Sequence, residues 1–139
     1  LENVRYYNEE EANDPAFASA ERARYLANLG SLSCHTPAGA APLGLDVGKA
    51  YAGGRTFGGG VKSANLTPDA TGLAGWTIAD IVATLKTNQE KGTGVMLLAP
   101  MPGGPDGVGG LLDADLTDLA TYLHTLAPVV NGPFGRPDM

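Results

Sequence analysis

Apolar residues recur at helical spacing in three stretches of this chain, and nowhere do they alternate with polar ones over the length of a strand. In the first stretch, Phe17, Ala18, Tyr25, Leu26 and Leu29 form one stripe. Asp14 can cap it, Pro15 suits the first helical position, and Gly30 can close it from the left-handed region. In the second, Ile78, Ile81, Val82 and Leu85 fall at i, i+3, i+4 and i+7, with Thr77 as cap and Asp80 placed for a capping box. The third carries Leu116, Leu119, Ala120, Leu123 and Leu126 on one face, with Asp113 as its expected cap and Pro128 as its stop. The pattern predicts an all-α protein of about three main helices, with no dependable strand and no internal repeat.

The segments between the helices read differently. Residues 36–66 hold Pro37, Pro42 and the run Gly58-Gly59-Gly60, and residues 89–110 are again rich in Gly and Pro, without a period of 2 or 3.6. Connections of this length are uncommon in a compact domain unless something orders them. Three short helices also cannot enclose a core for 139 residues. A large, flat, apolar cofactor would answer both difficulties, since loops can pack on its faces. Residues 14–128 then form the domain. Residues 1–13, with Glu9, Glu10 and Glu11 after two tyrosines, read as an acidic arm, and residues 129–139 as a tail that wraps or frays.

Composition narrows the function. One domain of 14.2 kDa with net charge −6 and pI near 4.7 argues against nucleic acid and anionic membranes as partners. No apolar run approaches the roughly 18–20 residues of a membrane span, which predicts a soluble chain. No signal peptide opens it, and Leu1 reads as the start of a processed or trimmed chain. The single Cys rules out a disulfide within the chain.

That Cys is also the most informative residue. In Ser31-Leu32-Ser33-Cys34-His35, the pair Cys34-His35 completes the right half of Cys-x-x-Cys-His, the attachment signal for c-type haem. The thiol adds across a haem vinyl group to give a thioether, and the adjacent imidazole is thereby delivered to the iron. Ser31 stands where the first Cys would be, and a hydroxyl forms no thioether, so at most one covalent link can form. A second axial ligand would be a Met: Met96, Met101 or Met139. The prolines of Ala99-Pro100-Met101-Pro102 stiffen the backbone around Met101, whereas Met96, before Leu97-Leu98, reads as a buried gap-filler and Met139 lies at the terminus. Core packing is the competing role for each. Arg55 and Lys62 read as solvated charges, His124 as a surface histidine off the apolar stripe, and no motif supports a Cys34–His124 nucleophile pair.

Taken in order, Arg22-Ala23-Arg24-Tyr25-Leu26, Cys34-His35-Thr36-Pro37, Asn65-Leu66-Thr67-Pro68-Asp69, Thr71-Gly72, Gly75-Trp76, Pro100-Met101-Pro102 and Tyr122-Leu123 give the chain its resemblance to class I cytochromes c. It is most similar to the bacterial type found as cytochrome subunits or partners of periplasmic dehydrogenases. The resemblance spans roughly residues 20 to 128. It implies a cytochrome c fold around one haem c, with His35 and Met101 as axial ligands, Cys34 as the covalent link, Trp76 near a propionate and Asn65 in the haem pocket. It also implies first and last helices packed crosswise, with Ala23 where the family prefers Gly. The implied function is one-electron transfer, not catalysis, between periplasmic partners such as a dehydrogenase and a terminal reductase or oxidase. The alternatives are a haem enzyme or gas-ligand sensor with an open or labile sixth position, and a haem-free domain that uses Cys34-His35 to bind a metal.

Overall fold

The computed structural model describes residues 22–24, 26–28, 31–40 and 44–134. Among them the regular structure is helical, with no strand and three isolated bridges: Ala38 with Leu45, Thr56 with Lys62, and Gln89 with Met96. Helix α1 is helical at residues 22–24 and 26–28, α2 spans Ser31–Cys34, α3 Ile78–Thr87 and α4 Asp113–Thr125. No helix of the described residues is long and apolar enough to cross a membrane. The expected acidic arm, Asp14, Pro15, Phe17, Ala18, Tyr25, Leu29, Gly30, Pro42 and Met139 lie outside the described residues.

The two later helices form as their patterns predict. In α3 the Thr77 hydroxyl accepts from the Asp80 amide at 3.1 Å, and the Asp80 carboxylate accepts from the Thr77 amide at 2.9 Å, so the capping box closes. Asn88 ends the helix in the left-handed region. Ile81 and Leu85 are buried, and Ile78 and Val82 pack half-buried beside them. In α4 all five residues of the expected stripe are buried. The expected cap is displaced: Leu112 holds the cap position without a side-chain bond, and Asp113 is the first helical residue. There its charge still faces the positive end of the helix dipole, and the carboxylate is engaged by Lys86 at 2.6 Å.

Of the stripe expected for α1, only Leu26 lies among the described residues. Among the described residues of α1, Ala23 and Ala27 are fully buried and Leu26 is half-buried. Small side chains let α1 approach the core cluster that also holds Leu116, Leu119, Ala120 and Leu123 of α4. Arg22 adds a two-pronged ion pair to Asp118 of α4, at 2.7 and 3.0 Å. Asp118 is a buried carboxylate, so this pairing offsets its desolvation. Sequence periodicity gives no hint of it.

The long connections are ordered by hydrogen bonds, not by regular elements. Tyr51, fully buried and at φ 64, sits at their centre. Its ring meets that of Tyr122 edge-on at 5.9 Å, its hydroxyl donates to Asn28 of α1, and its amide donates to the Thr36 hydroxyl. The tail wraps rather than frays through Phe134. Val129 and Asn131 donate their amides to the hydroxyls of Thr67 and Thr71, and Lys62 lies 5.6 Å from the centre of the Phe134 ring.

Asn65 ties this arrangement together. It is 1% exposed, and its amide donates to the Thr71 hydroxyl and to the carbonyls of Val129 and Asn131, while its oxygen accepts from the amide and hydroxyl of Thr67. Asn65→Ala would leave several of these groups buried and unpaired. It is expected to lower stability by about 3 kcal/mol in urea unfolding, at the high end for a single substitution.

Candidate functional site

His35 follows directly on the four-residue helix α2, whose last residue is Cys34. Its amide completes that turn by donating to the Ser31 carbonyl at 2.8 Å. The Cys34 side chain is exposed and forms no disulfide. The next residue is the reverse: His35 is 8% exposed.

Two loop segments hold the imidazole. The first, residues 51–54, receives the His35 carbonyl, which accepts from the Gly53 amide at 2.6 Å. The second, residues 63–66, supplies the Ala64 carbonyl at 2.7 Å from Nδ1 of His35. The segments are bonded to each other through Gly54 N–H to Ser63 and Leu66 N–H to Tyr51. They approach so closely that a Cβ on Gly53 would collide with the Ala64 carbonyl group, and Gly53 also lies at φ 75. Only glycine suits both conditions.

A carbonyl oxygen can only accept, so Nδ1 carries the proton and Nε2 carries the lone pair. Burial pushes the imidazole's pKa down, and the bond to Ala64 opposes this only in part. The ring is therefore neutral near pH 7. No described residue bonds Nε2. A neutral imidazole with one nitrogen tied to a carbonyl and the other free is the usual form of a metal-ligating histidine.

Met101 sits at the junction of two ordered loop pieces. On one side, residues 88–97 fold back through the Gln89–Met96 bridge and the bonds of Glu90 to Val95 and Leu97 to Asn88. On the other, residues 102–110 tuck under the end of α3, where the Gly104 amide donates to the Leu85 carbonyl at 2.8 Å. Met101 is half-buried and packs on the core cluster, as do Trp76, Leu32 and Leu66. Met96 is not the buried gap-filler that its neighbours in sequence suggested. It pairs with Gln89 in the folded-back arm and is 54% exposed, because the bridge uses its backbone and leaves its side chain outside the core.

Trp76 is held from both sides. The ring of exposed His124 donates from Nε2 to the Trp76 carbonyl at 2.8 Å. Lys91 lies 5.5 Å from the centre of the Trp76 ring, reaches the Gly75 carbonyl at 3.4 Å and pairs with Asp80 at 2.7 Å. Asp80 thus caps α3 and, through Lys91, ties the turn of the 88–97 arm to that helix. These donors, the ammonium first, pull its pKa from 3.8 down to about 2. A depressed carboxylate contributes stability that is complete above its unfolded pKa and is lost as pH falls through the folded one. The thermal unfolding midpoint is therefore expected to fall between about pH 4 and 2, and Asp80→Asn should flatten the slope in that window.

A shallow surface depression lies between α3 and the arm, lined by Asp80, Thr84, Glu90 and Lys91 among others. It includes none of Cys34, His35 and Met101. Asn65 spends its polar atoms within the loops and on the tail. Among the described residues no group of three or more His, Cys, Asp or Glu side chains is placed to hold a metal ion.

The sequence pointed to Cys34, His35, Met101, Trp76 and Asn65 as candidate site residues. It did not single out the two loop groups bonded to His35, the Ala64 carbonyl and the Gly53 amide. Of these, only Gly53, in Gly53-Gly54, leaves a mark in the sequence. No protein-family model matches the chain, and no curated protein matches it.

Proposed function

We propose that this chain is a single-haem c-type cytochrome that carries one electron at a time between redox partners. The observation that carries this reading is His35: buried, neutral, protonated on Nδ1 against the Ala64 carbonyl, with the Nε2 lone pair left free. The donor set suits the group. An exposed thiol for one thioether precedes that imidazole, and a half-buried thioether sits in a braced loop as the soft second ligand. Haem, when bound, supplies an iron that alternates between ferrous and ferric states.

The residues of the chain do the rest. Cys34 tethers, His35 ligates through Nε2, and Met101 is held in place by the packed segments before and after it. The Asp80–Lys91–Trp76 contacts hold the turn of the 88–97 arm, which leads into the Met101 segment. Half-buried Leu32, Leu66 and Val108 add apolar surface of the kind that raises a ferrous–ferric potential by excluding water. Export to the periplasm belongs to this reading, since thioether attachment in bacteria is completed outside the cytoplasm. So do partners such as a dehydrogenase and a terminal reductase or oxidase. The net charge of −6 favours a basic docking surface, with its main effect on the association rate.

The test is an optical spectrum of the chain produced with a haem-attachment system, with a pyridine haemochrome and carbon monoxide added to the reduced form. A Soret band with no carbon monoxide adduct at neutral pH is the expected result. Rapid adduct formation would favour a haem enzyme or gas sensor, and absence of a Soret band would overturn the reading.

A further inference from the structure

The two loop segments that hold His35 are crossed by one side chain from far along the chain. Asn131 donates from Nδ2 to the carbonyls of Ala52 and Gly53, at 3.2 and 3.3 Å. Its backbone amide donates to the Thr71 hydroxyl at 3.0 Å, and its carbonyl accepts from the Asn65 amide at 3.2 Å. It therefore grips residues 52–53 with its side chain and residues 65–71 with its backbone. These are the flanks of the two groups that fix His35: the Gly53 amide on its carbonyl and the Ala64 carbonyl on its Nδ1.

We infer that Asn131 is a positioning residue for His35. By clamping the 52–53 peptides against the 65–71 loop, it holds Gly53 close to Ala64 and so sets the strength of the bond between Nδ1–H and the Ala64 carbonyl. The strap formed by the tail, residues 129–134, does not depend on this side chain alone. It is docked independently by Val129 on Thr67 and by the Phe134 ring on Gly54 and Lys62. Losing the Asn131 amide would loosen one segment relative to the other while leaving the strap in place. A weaker bond at Nδ1 makes the imidazole a poorer donor through Nε2, which disfavours a ferric ion relative to a ferrous one. The consequence for the iron rests on the proposed function, whereas the consequence for the Nδ1 proton does not.

The experiment compares Asn131→Ala and Asn131→Asp with the full-length wild-type chain, and with Val130→Ala as the control. Val130 lies on the same strap, and its side chain is 77% exposed. Asn131→Asp keeps the shape and the backbone bonds but has no donor for Ala52 and Gly53. Exchange of the His35 Nδ1 proton with solvent, followed by NMR, should quicken by about tenfold in both Asn131 variants, the equivalent of one net hydrogen bond. It should be unchanged in Val130→Ala. In haem-loaded protein, the ratio of oxidised to reduced forms at a fixed ambient potential should fall about threefold in the Asn131 variants, since the removed group supports a ligand from behind. Unchanged exchange in Asn131→Asp, equal quickening in Val130→Ala, or an unmoved potential in loaded protein would each overturn the inference. If the wild-type chain takes up no haem, the proposed function fails, yet the exchange comparison in that same chain still decides the role of Asn131.

Discussion

Haem is expected to stay with the wild-type polypeptide through acidic acetone extraction and to leave Cys34→Ala completely. A thioether survives unfolding and loss of the axial bonds, whereas coordination by His35 and Met101 does not. With Ser31 in place of the first attachment Cys, Cys34 is the only residue able to form the link. One vinyl group then remains conjugated with the ring, so the reduced pyridine haemochrome band should fall between those of ordinary c-type and b-type haem. Ser31 and Cys34 are the first and last residues of α2, three positions apart and so neighbours on one helical face. Ser31→Cys is therefore expected to complete the second link, move the band to the ordinary c-type position and raise the unfolding midpoint by constraining the unfolded chain. Intact mass after denaturation decides the matter. A wild-type mass equal to the bare chain would mean that Cys34 is not the tether.

Met101→Ala should abolish the weak long-wavelength charge-transfer band of a thioether on ferric iron, and Met96→Ala should leave it unchanged. Both side chains lie in the same Gly/Pro-rich connection, and the structure separates them by burial. Met101 packs on the core cluster between two hydrogen-bonded pieces, while the Met96 side chain is exposed on the 88–97 arm. A ligand that binds ferric iron weakly must be held where it acts, and only the first is so held. The exposed Met96 thioether would lose its side-chain freedom on binding, a cost of order 1–2 kcal/mol that the packed Met101 has largely met on folding. The opposite pattern, with the band lost in Met96→Ala and kept in Met101→Ala, would move the assignment to the arm.

What the sequence by itself determined is whatever depends on side-chain type at a fixed spacing. The stripes of α3 and α4, the Thr77–Asp80 capping box and the Pro128 stop all express a helix period or a local donor–acceptor match, and these are written in neighbouring residues. The pairing of Cys34 with His35 is legible for the same reason. One exception is the cap of α4, which falls at Leu112 while Asp113, the first helical residue, pairs with Lys86 of α3, a contact between two helices that neither segment announces.

Only the tertiary structure decided where the long connections close. Every residue but proline carries the same backbone N–H and C=O, so nothing in the sequence marks Ala64 as the carbonyl that meets His35 from 29 positions away. Nor does anything mark Ala52 and Gly53 as acceptors for Asn131. Asp118 looks like an ordinary surface carboxylate until Arg22, 96 positions earlier, is brought against it. Tyr51, between two alanines in a stretch without period, becomes the buried pivot because its ring fills the space between α1 and α4. Periodicity tells which face of an element is apolar. Which loops share a hydrogen bond depends on chain closure in three dimensions, and for His35 that closure sets which nitrogen carries the proton.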